Sequence, residues 1–190
     1  MFIIKNKYYL IIESTKDLNL KNIKKFKKFS VIYRNSNISE KKKDLLKFRK
    51  NCKSKQVYFY VANNLKLANS LKADGIYLSS YNRSFKALIL QRKKFNIIGS
   101  AHSYKEIYTK IKQGCNEIIF SKLFQVNYSK KADFLGVIKF NNFLKANRNL
   151  IPLGGINSKN LNNLNQINCS GFALMSEIKK KPTKIFSRLF

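Results

Sequence analysis

Leu153-Gly154-Gly155-Ile156-Asn157-Ser158 ends a short apolar run in two glycines and a helix-starting serine. Further on, Gly171-Phe172-Ala173-Leu174-Met175-Ser176 is a second apolar run ending in small or polar groups. Two neighbouring strands that end this way can offer backbone N–H groups to a phosphate. Glycine lets an oxygen approach the main chain because no Cβ stands in the way. In a (β/α) barrel, the loops after the last two strands are where phosphate usually sits. Gly154, Gly155, Met175 and Ser176 are therefore the expected phosphate-binding residues.

Outward from this stretch the pattern alternates. Short apolar runs occupy Tyr8–Glu13, Ser30–Arg34, Val57–Ala62, Gly75–Ser79, Phe95–His102, Glu117–Phe124, Leu150–Ile156 and Gly171–Ile178. Each is nearly continuous in apolar or β-branched residues, the mark of a strand covered on both faces. Helical segments are expected between them at Ser39–Asn51, Asn64–Lys72, Ser103–Gln113, Asp133–Asn147 and Ser158–Ile167, with a last one at Lys181–Phe190. Ser103 is a good N-cap, Glu106 stands at its capping-box position, and Gly114 suits the residue after the helix. Eight such units predict an α/β fold, a (β/α)8 TIM barrel, as a single compact domain over residues 1–190. The one long irregular stretch, Gln125–Ala132, reads as a loop at the barrel mouth.

Composition supports a folded core, with 44% of the 190 residues apolar. The net charge is +30, from 39 Lys and Arg against 9 Asp and Glu. The lysines are spread along the whole chain rather than gathered in one arm. Together with many Asn, Ile, Phe and Tyr and few Ala, this reads as a general compositional bias. An RNA-associated protein is the competing reading of the same charge. Either way the chain should attract phosphorylated ligands, less so at high salt. Cys52, Cys115 and Cys169 are odd in number and lack metal-ligand spacing, as expected of reduced thiols. The first residues lack the features of a signal peptide, and no run reaches the roughly 20 apolar residues that span a bilayer. A cytoplasmic protein is expected, with no membrane partner.

Four pieces, in order, resemble the thiamine phosphate synthase and TenI family of (β/α) barrels. They are Ala68 to Leu78 with its Ala73-Asp74-Gly75 turn, Ile98-Gly99-Ser100-Ala101-His102-Ser103, Phe120-Ser121-Lys122-Leu123-Phe124, and Leu153-Gly154-Gly155-Ile156 with Asn160 followed by Gly171 to Ser176. The resemblance implies an enzyme of thiamine biosynthesis. The synthase branch joins hydroxymethylpyrimidine diphosphate to a thiazole phosphate and releases pyrophosphate with Mg²⁺. Arg34, His102 and Lys130 are then the expected catalytic residues. Gly154, Gly155, Met175, Ser176, Asn63, Asn82 and Lys122 are expected to hold the phosphorylated small-molecule substrates.

The chain departs from the family pattern at several of these places. Two metal-binding aspartates of the family correspond to Asn63 and Asn82, which puts Mg²⁺ use in doubt because that ion prefers anionic oxygens. Of a Gln-Leu-Arg at the second strand, only Arg34 is kept. The TenI branch uses a histidine after the sixth strand, where this chain has Lys122. The alternative is thus a divergent barrel that binds a phosphorylated thiazole without chemistry, or with altered chemistry.

Overall fold

The computed structural model describes residues 5–23, 27–35, 40–91, 95–126, 133–147 and 149–179. Eight parallel strands form one sheet: β1 (Lys7–Ile12), β2 (Phe29–Tyr33), β3 (Tyr58–Ala62), β4 (Gly75–Leu78), β5 (Asn96–Ala101), β6 (Glu117–Ser121), β7 (Leu150–Leu153) and β8 (Gly171–Leu174). Their order is β7-β6-β5-β4-β3-β2-β1-β8, so the sheet rolls into a nearly closed (β/α)8 barrel. β7 and β8 lie side by side where the ring closes, but among the described residues no ladder pairing joins them.

Helices alternate with the strands: α1 (Lys42–Ser54), α2 (Leu65–Ser70), α3 (Leu88–Gln91), α4 (Tyr104–Lys112), α5 (Gly136–Ala146) and α6 (Ser176–Lys179). Two were not expected: α3, and α6, where the expected run Gly171–Ile178 leaves the strand after Leu174 and turns helical at Ser176. The start of α4 is fixed as its sequence suggests. Ser103 Oγ accepts from Glu106 N, while the Glu106 carboxylate accepts from His102 N at 2.7 Å. The Ser158–Ile167 expectation needs correction: this stretch holds a 3-10 helix, Leu161–Gln166. Its asparagines explain the change. Asn157 Oδ1 accepts from the amides of Lys159 and Asn160, and such side-chain bonds compete with the α-helical ladder. The last expected helix, Lys181–Phe190, lies outside the described residues. No described helix is long and apolar enough to cross a membrane.

Side chains alternate between two cores, as the period of a strand requires. Tyr8, Leu10, Ile12, Phe29, Val31, Phe59 and Val61 face the helices. Tyr9, Ile11, Ile32, Tyr60, Tyr77, Ile98, Ile119, Ile151 and Ala173 fill the barrel. At the N-terminal ends of the strands the interior is plugged by polar contacts. Tyr9 Oη donates to Glu117, which also pairs with Lys7 at 2.5 Å, and Asn96 Nδ2 donates to Tyr60 Oη at 3.0 Å. The C-terminal ends are left as the open mouth.

Tyr8 is 1% exposed and packs on Phe29 and Phe172, yet its hydroxyl has no partner among the described residues. Burying an unpaired hydroxyl costs stability. Tyr8→Phe should therefore stabilise the fold by about 1 kcal/mol, read from the urea midpoint.

Buried acids set the response to alkali. Burial pushes the Cys52 and Cys115 thiols up to about 12, and that of Cys169 upward. In the unfolded chain these thiols ionise first, so above their ordinary value the unfolded state binds fewer protons and stability falls with rising pH. Each thiol contributes a slope of about 1.4 kcal/mol per pH unit in that window. Lys110 acts oppositely. Burial lowers it to about 8, so it adds stability as pH rises from there to its ordinary 10.5. Three thiols outweigh one lysine, and the urea midpoint should drop steadily above pH 9.

Candidate functional site

A cavity of about 480 Å³ opens at the C-terminal ends of the strands. Arg34 follows β2, His102 follows β5, and Ser121 and Lys122 stand at the end of β6. Leu153 to Asn157 come from the loop after β7, and Ala173 to Glu177 from β8 and its exit. The far-apart segments Gly154–Gly155 and Met175–Ser176 thus meet on one surface.

The two glycines are required by geometry. Both have positive φ, 102° at Gly154 and 68° at Gly155. A Cβ on Gly155 would stand 2.4 Å from the Gln125 carbonyl oxygen and 2.6 Å from that of Phe124. The turn is pinned from both sides. The amides of Leu123 and Phe124 donate to the carbonyls of Leu153 and Gly154 at 2.9 and 3.0 Å. Asn160 Nδ2 and Asn157 Nδ2 both donate to the Gly155 carbonyl, at 2.8 and 3.1 Å. With its carbonyls held in this way, the turn keeps its amides unspent. The N–H groups of Gly154, Gly155, Met175 and Ser176 donate to no other described residue.

Two cations join these amides. Arg34 is anchored through its own backbone N–H to the Ile12 carbonyl at 2.8 Å, but its guanidinium forms no ion pair among the described residues. Lys122 packs its Cα and Cβ 3.2 Å from where a Gly154 Cβ would stand, and its ammonium makes no bond to any described residue. His102 Nδ1 is 2.8 Å from Ser121 Oγ on the same wall. The site so formed presents main-chain donors, a guanidinium, an ammonium and an imidazole to one cavity. That set suits an anionic oxygen cluster.

The expected residues divide. Gly154, Gly155, Met175, Ser176, Arg34, His102 and Lys122 come together. Asn63 and Asn82 do not line this cavity. They meet each other beside a separate, shallower depression with Lys66 and Lys86. Lys130 lies outside the described residues. Of the carboxylates near β1, Asp17 is a cap, accepting from the amides of Glu13 and Ser14 at 2.9 Å, and Glu13 pairs with Lys179. The sequence reading missed Ser121, Gln125 and Glu177 as cavity residues. Ser121 was legible only through its place at a strand end. Gln125 opens the stretch expected as a mouth loop, and Glu177 gave no signal of its own.

The family model described as thiamine monophosphate synthase matches residues 9–178. The chain belongs to this family. A curated thiamine-phosphate synthase of Prochlorococcus marinus subsp. pastoris is 29% identical over 146 residues, covering 76% of this chain and 42% of the relative. One from Persephonella marina is 29% identical over 161 residues, covering 78% and 73%. The chain thus spans less than half the length of the Prochlorococcus relatives it matches. Among solved structures, a thiamine phosphate pyrophosphorylase from Pyrococcus furiosus superposes with a TM-score of 0.77 at 16% identity, covering 98% of this chain and 94% of that one. This likeness concerns the fold.

Gly155→Ala should both strain the backbone and drive the turn off the Phe124–Gln125 carbonyls. A loss of about 1–3 kcal/mol in stability is expected, with disordered amides at residues 154 and 155. Urea unfolding and amide chemical shifts of the variant check this.

Proposed function

We propose that this barrel anchors a thiazole phosphate at the ends of β7 and β8 and condenses it with hydroxymethylpyrimidine diphosphate, releasing pyrophosphate. The observation that carries the reading is the convergence of four unspent amides with Arg34 and Lys122 on one cavity, in a chain of the thiamine monophosphate synthase family. The phosphate monoester accepts from Gly154, Gly155, Met175 and Ser176. This fixes the thiazole ring over the barrel interior, so that its nitrogen is held facing the second substrate.

In the reaction the carbon–oxygen bond between the pyrimidine's methylene and the diphosphate breaks, and the electron pair leaves with the diphosphate. The thiazole nitrogen then gives its lone pair to the methylene carbon. Charge grows on the departing oxygen, so cations placed there favour the transition state over the ground state. Arg34 and Lys122 are the described groups suited to this. His102, held by Ser121, offers its other ring nitrogen to a substrate heteroatom.

Binding without chemistry is the second reading, favoured by the two asparagines at the family's carboxylate positions. One pair of measurements separates them. The purified chain should bind thiamine phosphate in calorimetry, with affinity falling at least tenfold in Arg34→Ala and weakening with salt. With both substrates it should form thiamine phosphate at a rate proportional to enzyme. Binding without product supports the second reading. Neither binding nor product refutes both.

A further inference from the structure

The place where the family puts its metal-binding carboxylates is built differently here. Asn63 follows β3 and Asn82 follows β4. Asn63 has a positive φ of 56°, which asparagine tolerates better than most residues. Its side chain is fully engaged. Asn63 Oδ1 accepts from Ser79 N and from Asn82 Nδ2, both at 3.0 Å. Asn63 Nδ2 donates to Ser79 Oγ at 2.7 Å and to Tyr81 Oη at 3.0 Å. Asn82 Oδ1 in turn accepts from Ser84 N at 2.9 Å. Both amide oxygens therefore already receive N–H donors.

The surroundings are cationic. Lys110 is fully buried, and its Nζ donates to the Asn82 carbonyl at 2.8 Å and to Gln113 Oε1 at 2.9 Å. Gln113, also buried, donates to the carbonyls of Asn82 and Ser84. Lys66 and Lys86 line the depression beside the pair. The nearest carboxylate that acts on Lys110, Glu106, is spent on the His102 amide. No group of three His, Cys, Asp or Glu that could hold a metal exists among the described residues. Mg²⁺ and similar cations are held mainly by one or two carboxylates with free lone pairs beside substrate phosphates. Here such a cation would meet two neutral oxygens, Asn63 Oδ1 with two N–H donors and Asn82 Oδ1 with one, next to ammonium groups that repel it.

We infer that the β3–β4 side of this mouth takes no divalent cation, and that the Asn63–Asn82–Ser79–Tyr81 network is a neutral clasp joining the two loops in its place. Charge on a diphosphate must then be met by side-chain cations. The clasp is made entirely of uncharged groups and is braced from behind by Lys110 and Gln113. This inference stands on the geometry of the asparagines. Only its consequence for the diphosphate rests on the proposed condensation.

The test is Mn²⁺ uptake, read as loss of the free-ion electron paramagnetic resonance signal, with and without pyrophosphate. Without pyrophosphate the wild-type chain should change the partition of Mn²⁺ less than twofold, and any uptake with pyrophosphate should be the same in Asn63→Ala with Asn82→Ala. Asn63→Asp combined with Asn82→Asp should raise Mn²⁺ affinity at least tenfold. Saturable one-to-one uptake by the wild type that Asn63→Ala with Asn82→Ala abolishes would overturn the inference, whether or not condensation is found. Uptake that survives those alanine changes belongs to the diphosphate alone and leaves the asparagines metal-free, as inferred. A double-aspartate chain that folds, by its circular dichroism, yet gains no affinity would also overturn it, because the amides would not then be what excludes the ion.

Discussion

The contact between the Gly154–Gly155 turn and the loop after β6 governs the rest of the mouth. Two amides of that loop reach the carbonyls of residues 153 and 154, and the loop's own carbonyls crowd the place where a Gly155 side chain would stand. The consequence is directional. Each carbonyl of residues 153–155 finds a donor, while the N–H groups of Gly154 and Gly155 find no acceptor among the described residues. Peptide groups left this way in a folded chain need another acceptor. Such a surplus of donors suits an oxyanion, before any side-chain charge is counted.

The two ends of the barrel divide the labour. At the lower end Tyr9 meets Glu117 and Tyr60 meets Asn96 across the interior. The upper end gathers residues from β2, β5, β6, β7 and β8. The sector over β3 and β4 is different in kind. It is stitched by amides and hydroxyls and lines a separate depression rather than this cavity. A cavity walled from β2 and from β5 to β8, with β3 and β4 outside it, favours a ligand seated toward β7 and β8.

Much of this was legible in the sequence, for physical reasons. Strands buried on both faces leave continuous apolar runs, and all eight emerged within a few residues of their final bounds. Ser103 and Gly114 marked both ends of α4 because caps are local chemistry. The glycine pair was readable because few residues other than glycine tolerate its φ values. What failed was also local. The Asn-rich stretch before β8 satisfies its backbone through side chains, so apolar spacing alone suggested an α-helix there. The pairing of Asn63 with Asn82 could not be read at all. Sequence placed both at strand ends, but whether two amides face a ligand or each other depends on loop geometry that no periodicity encodes.

The unstitched junction between β7 and β8 carries one more implication. The two loops that offer their amides stand on opposite banks of that junction. In the proposed reading, a phosphoryl group accepting from both would act as a keystone, completing the ring where the backbone does not. Ligand occupancy and closure of the cylinder would then draw on the same free energy, and the empty protein would be weakest along that line.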